Sequence, residues 1–170
     1  MGKIIAETES LILREFAMGD LDSIYSMYSD TDNTKFIEPL SADRDEERVK
    51  LRNYIMYAYG FYGVGFWAVI EKESGRLIGR CGLQIVNIHG EGSYELGYLI
   101  IKEKQRKGYA TEAVQAILCY AQTVLETGRI IARINKENIA SQQFAESMGF
   151  KLSGKYDNDM EKDLIFELNI

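Results

Sequence analysis

The chain has 170 residues, a formal net charge of −6, 46% hydrophobic residues and 27% charged residues, which is typical of one globular domain. The acidic balance argues against non-specific binding to nucleic acid or to an anionic membrane, because both require a surplus of Lys and Arg. No apolar stretch approaches the ~20 residues that a membrane span requires. We therefore expect one domain over residues 1–170, located in the cytoplasm.

The histidine and cysteine content gives little support for metal or triad chemistry. The one histidine, His89, lies in a polar segment that is predicted to be a surface turn. Cys81 and Cys119 fit no metal or redox spacing, and they fall in apolar periodic segments, so they are predicted to be small buried side chains. No metal site is expected.

The first half of the chain predicts a strand, two helices and a hairpin. Alternation at Leu11, Leu13 and Phe16 predicts a strand, and Asp20 is predicted to cap a helix that presents Leu21, Ile24, Tyr25 and Tyr28 on one face. A second helix is expected over residues 43–59. Residues 66–70 and 77–86 flank a Glu-Ser-Gly-Arg turn and predict an antiparallel hairpin.

The second half predicts a strand at 94–101, a long helix from Ala110 that stops at Gly128, and a strand at 130–134. A short helix at 139–148 ends at Gly149, and two strands close the chain at 150–152 and 164–168. Because a strand–helix–strand return favours parallel pairing, the economical solution is one mixed α/β sheet with helices packed on it.

The junction between the 94–101 strand and the long helix reads Gln105-Arg106-Lys107-Gly108-Tyr109-Ala110. The amides at a helix start lack intrahelical partners and lie at the positive end of the helix dipole, so such a loop can bind an anion. Gly108 lets the backbone approach a ligand closely. From these residues alone, the loop is either a phosphate site or a tight turn with solvated basic side chains.

The same loop resembles the Gln/Arg-x-x-Gly-x-Gly/Ala pattern of the GCN5-related N-acetyltransferases, the GNAT superfamily. Tyr94-Glu95-Leu96-Gly97-Tyr98 is similar to the preceding strand of that family, and Asn138-Ile139-Ala140-Ser141 is similar to a later motif of its ribosomal-protein acetyltransferase (RimJ/RimL-type) branch. The resemblance covers nearly the whole chain. It implies a mostly antiparallel sheet with a splayed central parallel pair.

The resemblance implies acetyl-coenzyme A (acetyl-CoA) as cosubstrate. Backbone amides of the loop would hold its pyrophosphate, the strand end at Leu99 and Ile100 would pair with the pantetheine arm, and Asn138 would bond the coenzyme. The loop residues implied are Arg106, Lys107, Gly108, Tyr109, Ala110 and Thr111.

The catalytic residues are also implied by the resemblance. Glu95 is the candidate general base, because the acceptor amine must lose a proton; the alternative is a surface or salt-bridged glutamate at an alternating strand position. Many family members protonate the leaving thiolate with a tyrosine, but that position is Ala145 here. Ser141 is the remaining candidate, and its alternative is a helix-start hydroxyl that bonds local backbone.

The resemblance implies a primary amine as the acceptor. Three interpretations of the function stay open: acetylation of a protein N-terminal α-amine, acetylation of a small-molecule amine, or a non-catalytic role as an acetyl-CoA sensor. Tyr62, Trp67 and Tyr98 are expected to wall the acceptor pocket, although helical aromatics are more often core. The C-terminal hairpin is expected to offer a sheet edge for a homodimer.

Overall fold

The computed structural model describes residues 2–88, 90–158 and 161–170, with side chains described outside 155–162. Its eight strands form one sheet in the order β1-β2-β3-β4-β5-β6-β8-β7, in which every neighbouring pair is antiparallel except β5 and β6. The strands are β1 (Ile4–Glu7), β2 (Leu11–Arg14), β3 (Phe66–Glu71), β4 (Leu77–Ile88), β5 (Glu91–Ile100), β6 (Arg129–Asn135), β7 (Lys151–Asn158) and β8 (Glu161–Asn169).

Helices cover both faces of the sheet. They are α1 (Leu21–Met27), α2 (Thr31–Thr34), α3 (Arg44–Tyr54), which continues as a π-helical turn (Ile55–Tyr59), α4 (Tyr109–Thr123) and α5 (Ile139–Ser147). The larger core cluster packs α4 and α5 against one face of the sheet. A smaller cluster on the other face joins α1 and α3 to β3 through Leu21, Ile24, Leu51 and Ala68. In the described residues, no helix is long and apolar enough to cross a membrane.

The two central strands separate soon after they meet. The parallel ladder between β5 and β6 contains the pairs Tyr94–Ile130 and Glu95–Ile131, whereas β5 runs on to Ile100 and β6 to Asn135. The predicted mixed α/β architecture, the parallel pair and the hairpin of β3 and β4 are thus confirmed. The gap beyond Glu95 positions the candidate site.

Asp20 precedes α1 as predicted but lacks a side-chain cap bond, and the predicted end of the long helix was wrong. The Asp20 carboxylate makes no cap bond to α1; it accepts from both terminal nitrogens of Arg14, at 2.7 and 2.8 Å, and from the Ala17 amide. The long helix ends at Thr123 instead of reaching Gly128, and Glu126 takes the left-handed conformation in the connection. Arg14 and Ala17 occupy the Asp20 carboxylate, and the end of α4 is closed by bonds from the Leu125 and Thr127 amides to the carbonyls of Tyr120 and Ala121.

Some features were not predicted at all. β1 was missed because its Ile-Ile-Ala-Glu sequence does not alternate, and α2 was missed because it is one turn long. Cys81 is buried as expected, but Cys119 is exposed because it lies on the outward side of α4, opposite Ile117 and Ala121. His89 lies outside the described residues.

Candidate active site

The gap between β5 and β6 opens into a cleft of about 630 Å³, which is the size of a site for a small ligand. Its floor comes from β5 at Leu96, Gly97 and Tyr98 and from β6 at residues 132–135. The α1 and α3 side supplies one wall, and Asn138 with Ser141 at the start of α5 supplies another. The cleft therefore passes through the sheet, from one helical layer to the other.

The backbone of Tyr98 faces the gap. The Ile101 amide donates to the Ile78 carbonyl on the β4 side, and backbone groups in an antiparallel ladder alternate between the two sides of a strand. Residues 98 and 100 therefore point toward β6, and Leu99 points toward β4. The Ile100 carbonyl already accepts from the side chains of Asn33, at 3.1 Å, and Gln105, at 2.9 Å. Tyr98, rather than Leu99 or the Ile100 carbonyl, presents backbone groups to the gap.

The loop before α4 forms a concave run of amides. Arg106 has φ 63° and Gly108 has φ 85°, and left-handed residues in such a loop turn successive N–H groups to one side, forming a nest. The amides of residues 106–111 find no acceptor among the described residues; the first helical bond of α4 runs from the Glu112 amide to the Gly108 carbonyl. Six donors at the positive end of a 15-residue helix therefore remain available to an anion.

A buried carboxylate fixes this loop to the sheet. Glu71, at the end of β3, accepts from the Lys104 ammonium at 2.8 and 2.7 Å, from the Tyr109 hydroxyl at 2.7 Å and from the Ser74 hydroxyl at 2.6 Å. These hydrogen bonds lower the pKa of the Glu71 carboxyl to about 2. The predicted loop residue Tyr109 thus uses its side chain for anchoring, and sequence patterns gave no sign of its partner across 38 residues.

Glu95 lies where the two central strands part, and its side chain lines the cleft. It is 8% exposed, and its Oε2 accepts from Nε of Arg133 at 2.9 Å. Burial raises the pKa of the Glu95 carboxyl above its ordinary range, although the Arg133 guanidinium and a hydrogen bond from Gln84 act in the opposite direction. A buried carboxyl with a raised pKa is suited to proton transfer.

The hydroxyls of Tyr98 and Ser141 meet on the far side of the gap. Their oxygens lie 2.7 Å apart, and the Tyr98 hydroxyl also donates to the Ser141 carbonyl at 3.2 Å. Burial raises the pKa of the Tyr98 phenol to about 12, so it stays protonated. The Asn138 side-chain oxygen caps α5 by accepting from the Ser141 amide at 3.2 Å. The predicted residues Tyr98, Asn138 and Ser141 therefore come together.

Tyr62 and Trp67, which were predicted to wall the pocket, do not line the cleft. Trp67 is 1% exposed and packs edge-on against Tyr120 of α4, because its position on β3 points into the larger core cluster. Tyr62 is 57% exposed beyond the π-helical turn and does not line the cleft. Phe66, from the same aromatic stretch of sequence, and Arg80 line it instead; sequence reasoning missed Arg80.

The comparisons with known proteins point to one family. Residues 10–151 match the family model described as an acetyltransferase (GNAT) domain. The uncharacterized N-acetyltransferase YnaD of Bacillus subtilis is 32% identical over 148 residues, which are 86% of this chain and 82% of that protein.

Solved structures share the architecture. An acetyltransferase of the GNAT family from Bacillus anthracis superposes with a TM-score of 0.77 at 25% identity, covering 98% of this chain and 97% of that one. RimL, a ribosomal L7/L12 alpha-N-protein acetyltransferase, superposes with a TM-score of 0.82 at 17% identity, covering 100% of this chain and 96% of that one. At that identity the second likeness shows the fold alone.

Proposed function

The chain belongs to the acetyltransferase (GNAT) family, and we propose that it transfers the acetyl group of acetyl-CoA to a primary amine by direct attack within a ternary complex. The observation that carries this proposal is the pairing of a divergent strand gap with six unsatisfied amides at the start of α4. An enzyme of this family needs a site that binds the coenzyme diphosphate and a cleft that receives the acyl group, and the free amides and the strand gap support these two roles.

The residues fit the coenzyme. The amides of residues 106–111 would hold the pyrophosphate, and the exposed side chains of Arg106 and Lys107 would add positive charge. The backbone of Tyr98 would hydrogen-bond the pantetheine arm in place of a partner strand, and Asn138 would bond it from the other wall. Acetyl-CoA bound there would supply the activated acyl carbon for the transfer.

Glu95 serves as the general base in this proposal. An amine is nucleophilic only when neutral, and an α-amino group titrates near pH ~8, so at neutral pH a proton must be removed. Glu95 faces the cleft, and its raised pKa brings its basicity closer to the working pH. Arg133 holds the carboxylate in place through the 2.9 Å contact.

Ser141 donates a proton to the departing thiolate, and Tyr98 supports it. The Tyr98 phenol stays protonated and hydrogen-bonds the Ser141 oxygen through the 2.7 Å contact, which stabilises the negative charge that develops there as the proton moves to the thiolate. A thiol has a pKa near ~8.5 and leaves readily as thiolate, so losing either hydroxyl should lower the rate without abolishing turnover.

The acceptor candidates are a protein N-terminal α-amine and a small-molecule amine. The first is a candidate because RimL, which shares the fold, is an alpha-N-protein acetyltransferase. The cleft volume of about 630 Å³ favours the second. A non-catalytic acetyl-CoA sensor is the alternative of another class, and the buried, cleft-facing Glu95 argues against it. A homodimer through the outer strand β7 stays a prediction.

Thiol release tests the proposal. The protein is mixed with acetyl-CoA and, separately, with peptides carrying a free α-amine, polyamines and amino compounds, while released coenzyme A is followed with a thiol reagent. We expect release above the hydrolysis background with at least one amine class. Tight binding of acetyl-CoA without release for any amine would favour the sensor, and absence of both would contradict the family role.

A further inference from the structure

We propose that the acceptor carries a carboxylate a few bonds from its amine, and that the Arg80 guanidinium binds this carboxylate. The inference rests on the proposed acetyltransferase function and narrows its substrate to amino-acid-type compounds. It starts from the position of Arg80 on β4, where the side chain lines the same cleft as Glu95.

Arg80 lies on the face of the sheet that packs against α1 and α3. It pairs with Ala68 on one side and Leu99 on the other, and Ala68 packs in the cluster formed with α1 and α3. Its neighbours along the strand, Cys81 and Leu83, belong instead to the cluster under α4. The guanidinium is therefore on the opposite side of the sheet from α4, whose first turn carries the free amides.

Two aromatic rings hold the guanidinium in place. Its carbon lies 4.8 Å from the centre of the Phe66 ring and 5.6 Å from that of Tyr28, which are distances of cation–π contact. Ring contacts of this kind engage the flat faces of the group and leave the N–H donors at its edge available. Those donors form a planar fork that matches a carboxylate.

The remaining cationic side chains of the cleft already have carboxylate partners. Arg133 pairs with Glu95 at 2.9 Å, and Lys50 pairs with Glu46 at 2.9 Å. For Arg80, no carboxylate among the described side chains lies within ion-pair distance. A half-buried cation without a partner loses hydration that nothing in the chain replaces, so an anionic ligand group gains from binding there.

The spacing suits a small zwitterion. On β4, Arg80 and Gln84 lie on one face with Gly82 between them, and Gln84 pairs with Glu95. The backbones of Arg80 and Gln84 are about 13 Å apart, but the Arg80 guanidinium stacks on the Phe66 ring over Gly97. Gly97 is only two residues of strand, or about 7 Å, from Glu95. The Phe66 ring fills the interval, because a Cβ on Gly97 would lie 2.5 Å from it. With the guanidinium stacked on that ring, an acceptor lying against Phe66 can place its amine toward Glu95 and its carboxylate toward Arg80.

Matched acceptors test the proposal. We would measure kcat/KM for L-methionine, L-phenylalanine, β-alanine and γ-aminobutyrate, each compared with its carboxamide. The proteins compared are the wild type, Arg80→Gln and Arg80→Lys. A charge-assisted contact predicts an acid preference of roughly 10- to 100-fold for at least one pair. That ratio should fall toward one in Arg80→Gln and be partly kept in Arg80→Lys. Arg52→Gln, which removes an exposed charge of α3 outside the cleft, should keep the ratio.

A binding measurement separates this proposal from the transferase function. Calorimetric titration of the N-acetylated products of the same acids into the protein with coenzyme A requires no turnover. Weaker binding in Arg80→Gln than in Arg52→Gln supports the carboxylate site. Three outcomes would overturn it, whatever the thiol-release assay shows. The first is equal binding in the two variants, and the second is absence of binding by every acetylated acid. The third is a loss of acetyl-CoA affinity in Arg80→Gln that matches the loss of acid preference.

Discussion

Two buried glutamates of the sheet, Glu71 and Glu95, have opposite environments at the scale of single side chains. Glu71 receives hydrogen bonds from Lys104, Tyr109 and Ser74, and its pKa falls to about 2. Burial raises the pKa of Glu95, and Arg133 lowers it by a smaller amount. A carboxylate that is permanently charged suits anchoring, whereas one with raised basicity suits proton transfer. Their roles follow from their surroundings rather than from residue type.

Replacing the proposed base should affect the rate in a pH-dependent way. We expect Glu95→Gln to lower kcat by about 10²- to 10⁴-fold near pH 7. The deficit should shrink toward about pH 9, because the acceptor amine then loses its proton to water. Wild-type activity should fall as the pH drops through the raised pKa of Glu95. Thiol-release rates across pH measure this.

Glu91→Gln is the matched control, since Glu91 is an exposed carboxylate on the same strand. We expect its pH profile to overlay that of the wild type. If Glu95→Gln shows the same fractional loss at every pH, the residue acts by position and not by accepting a proton.

Replacing the anchoring carboxylate Glu71 should lower stability, and this effect should shrink at low pH, whereas the rate deficit of Glu95→Gln shrinks at high pH. The folded pKa of Glu71 is about 2, below its ordinary value of 4.5, so its stabilising effect is complete above pH 4.5 and is lost as the pH falls toward 2. We expect Glu71→Gln to lower the melting temperature at pH 7 and to flatten the acid limb of the stability curve. Melting curves from pH 7 to about pH 3 test this.

Glu103→Gln provides the comparison for Glu71→Gln. Glu103 is 60% exposed and meets Arg76 at 3.3 Å, and exposed pairs of this kind contribute little. Its melting temperature should follow that of the wild type across the pH range. Equal effects of the two substitutions would contradict the anchoring role of Glu71.

At the scale of elements, the loop before α4 depends on one left-handed glycine. An L-residue in this conformation costs about 1–2 kcal/mol, and a Cβ on Gly108 would meet nothing within 4 Å, so Gly108→Ala is strained without a clash. We expect the loop to relax by shifting its amides and to weaken acetyl-CoA binding by roughly 10-fold or more. Calorimetric titration with acetyl-CoA measures the change.

Gly75→Ala is the control that separates the backbone strain of the substitution from an effect on the coenzyme site. Gly75 has φ 67° and also has nothing within 4 Å of a built Cβ, but it lies in the turn between β3 and β4. Both variants should lose comparable stability, and only Gly108→Ala should lose affinity. Equal affinity in the two variants would remove the amide nest from the proposed binding mode.

The elements also show what the sequence could and could not predict. Periodicity correctly predicted the β3–β4 hairpin, the parallel return through α4 and the helix ending near Gly149, because each is encoded by local patterns. The Phe66–Arg80 stack and the Glu71 anchor were missed because each joins residues from different elements. Trp67 was misplaced because an aromatic residue gives no sign of which sheet face it occupies.

At the scale of the whole molecule, ligand binding should stabilise the fold by joining the two halves of the split sheet. Beyond the pairs at Tyr94 and Glu95, β5 and β6 share no ladder among the described residues. A coenzyme seated in that gap would bond both the α4 loop and the Tyr98 backbone. At 100 times its dissociation constant a ligand stabilises the native state by about 2.7 kcal/mol, which for a domain of this length raises the melting temperature by roughly 5–10 °C.

Comparing coenzyme fragments locates this stabilisation. ADP carries the diphosphate without the pantetheine arm, so it engages the loop alone and should give a smaller shift than coenzyme A or acetyl-CoA at equal concentration. Gly108→Ala should diminish the shifts of all three ligands, because each begins with the same diphosphate. Hydrogen exchange at the Tyr98 amide should slow with coenzyme A but not with ADP, since only the longer ligand reaches the gap. If ADP also slowed exchange at the Tyr98 amide, the loop and the cleft would be coupled through the protein and not through the pantetheine arm.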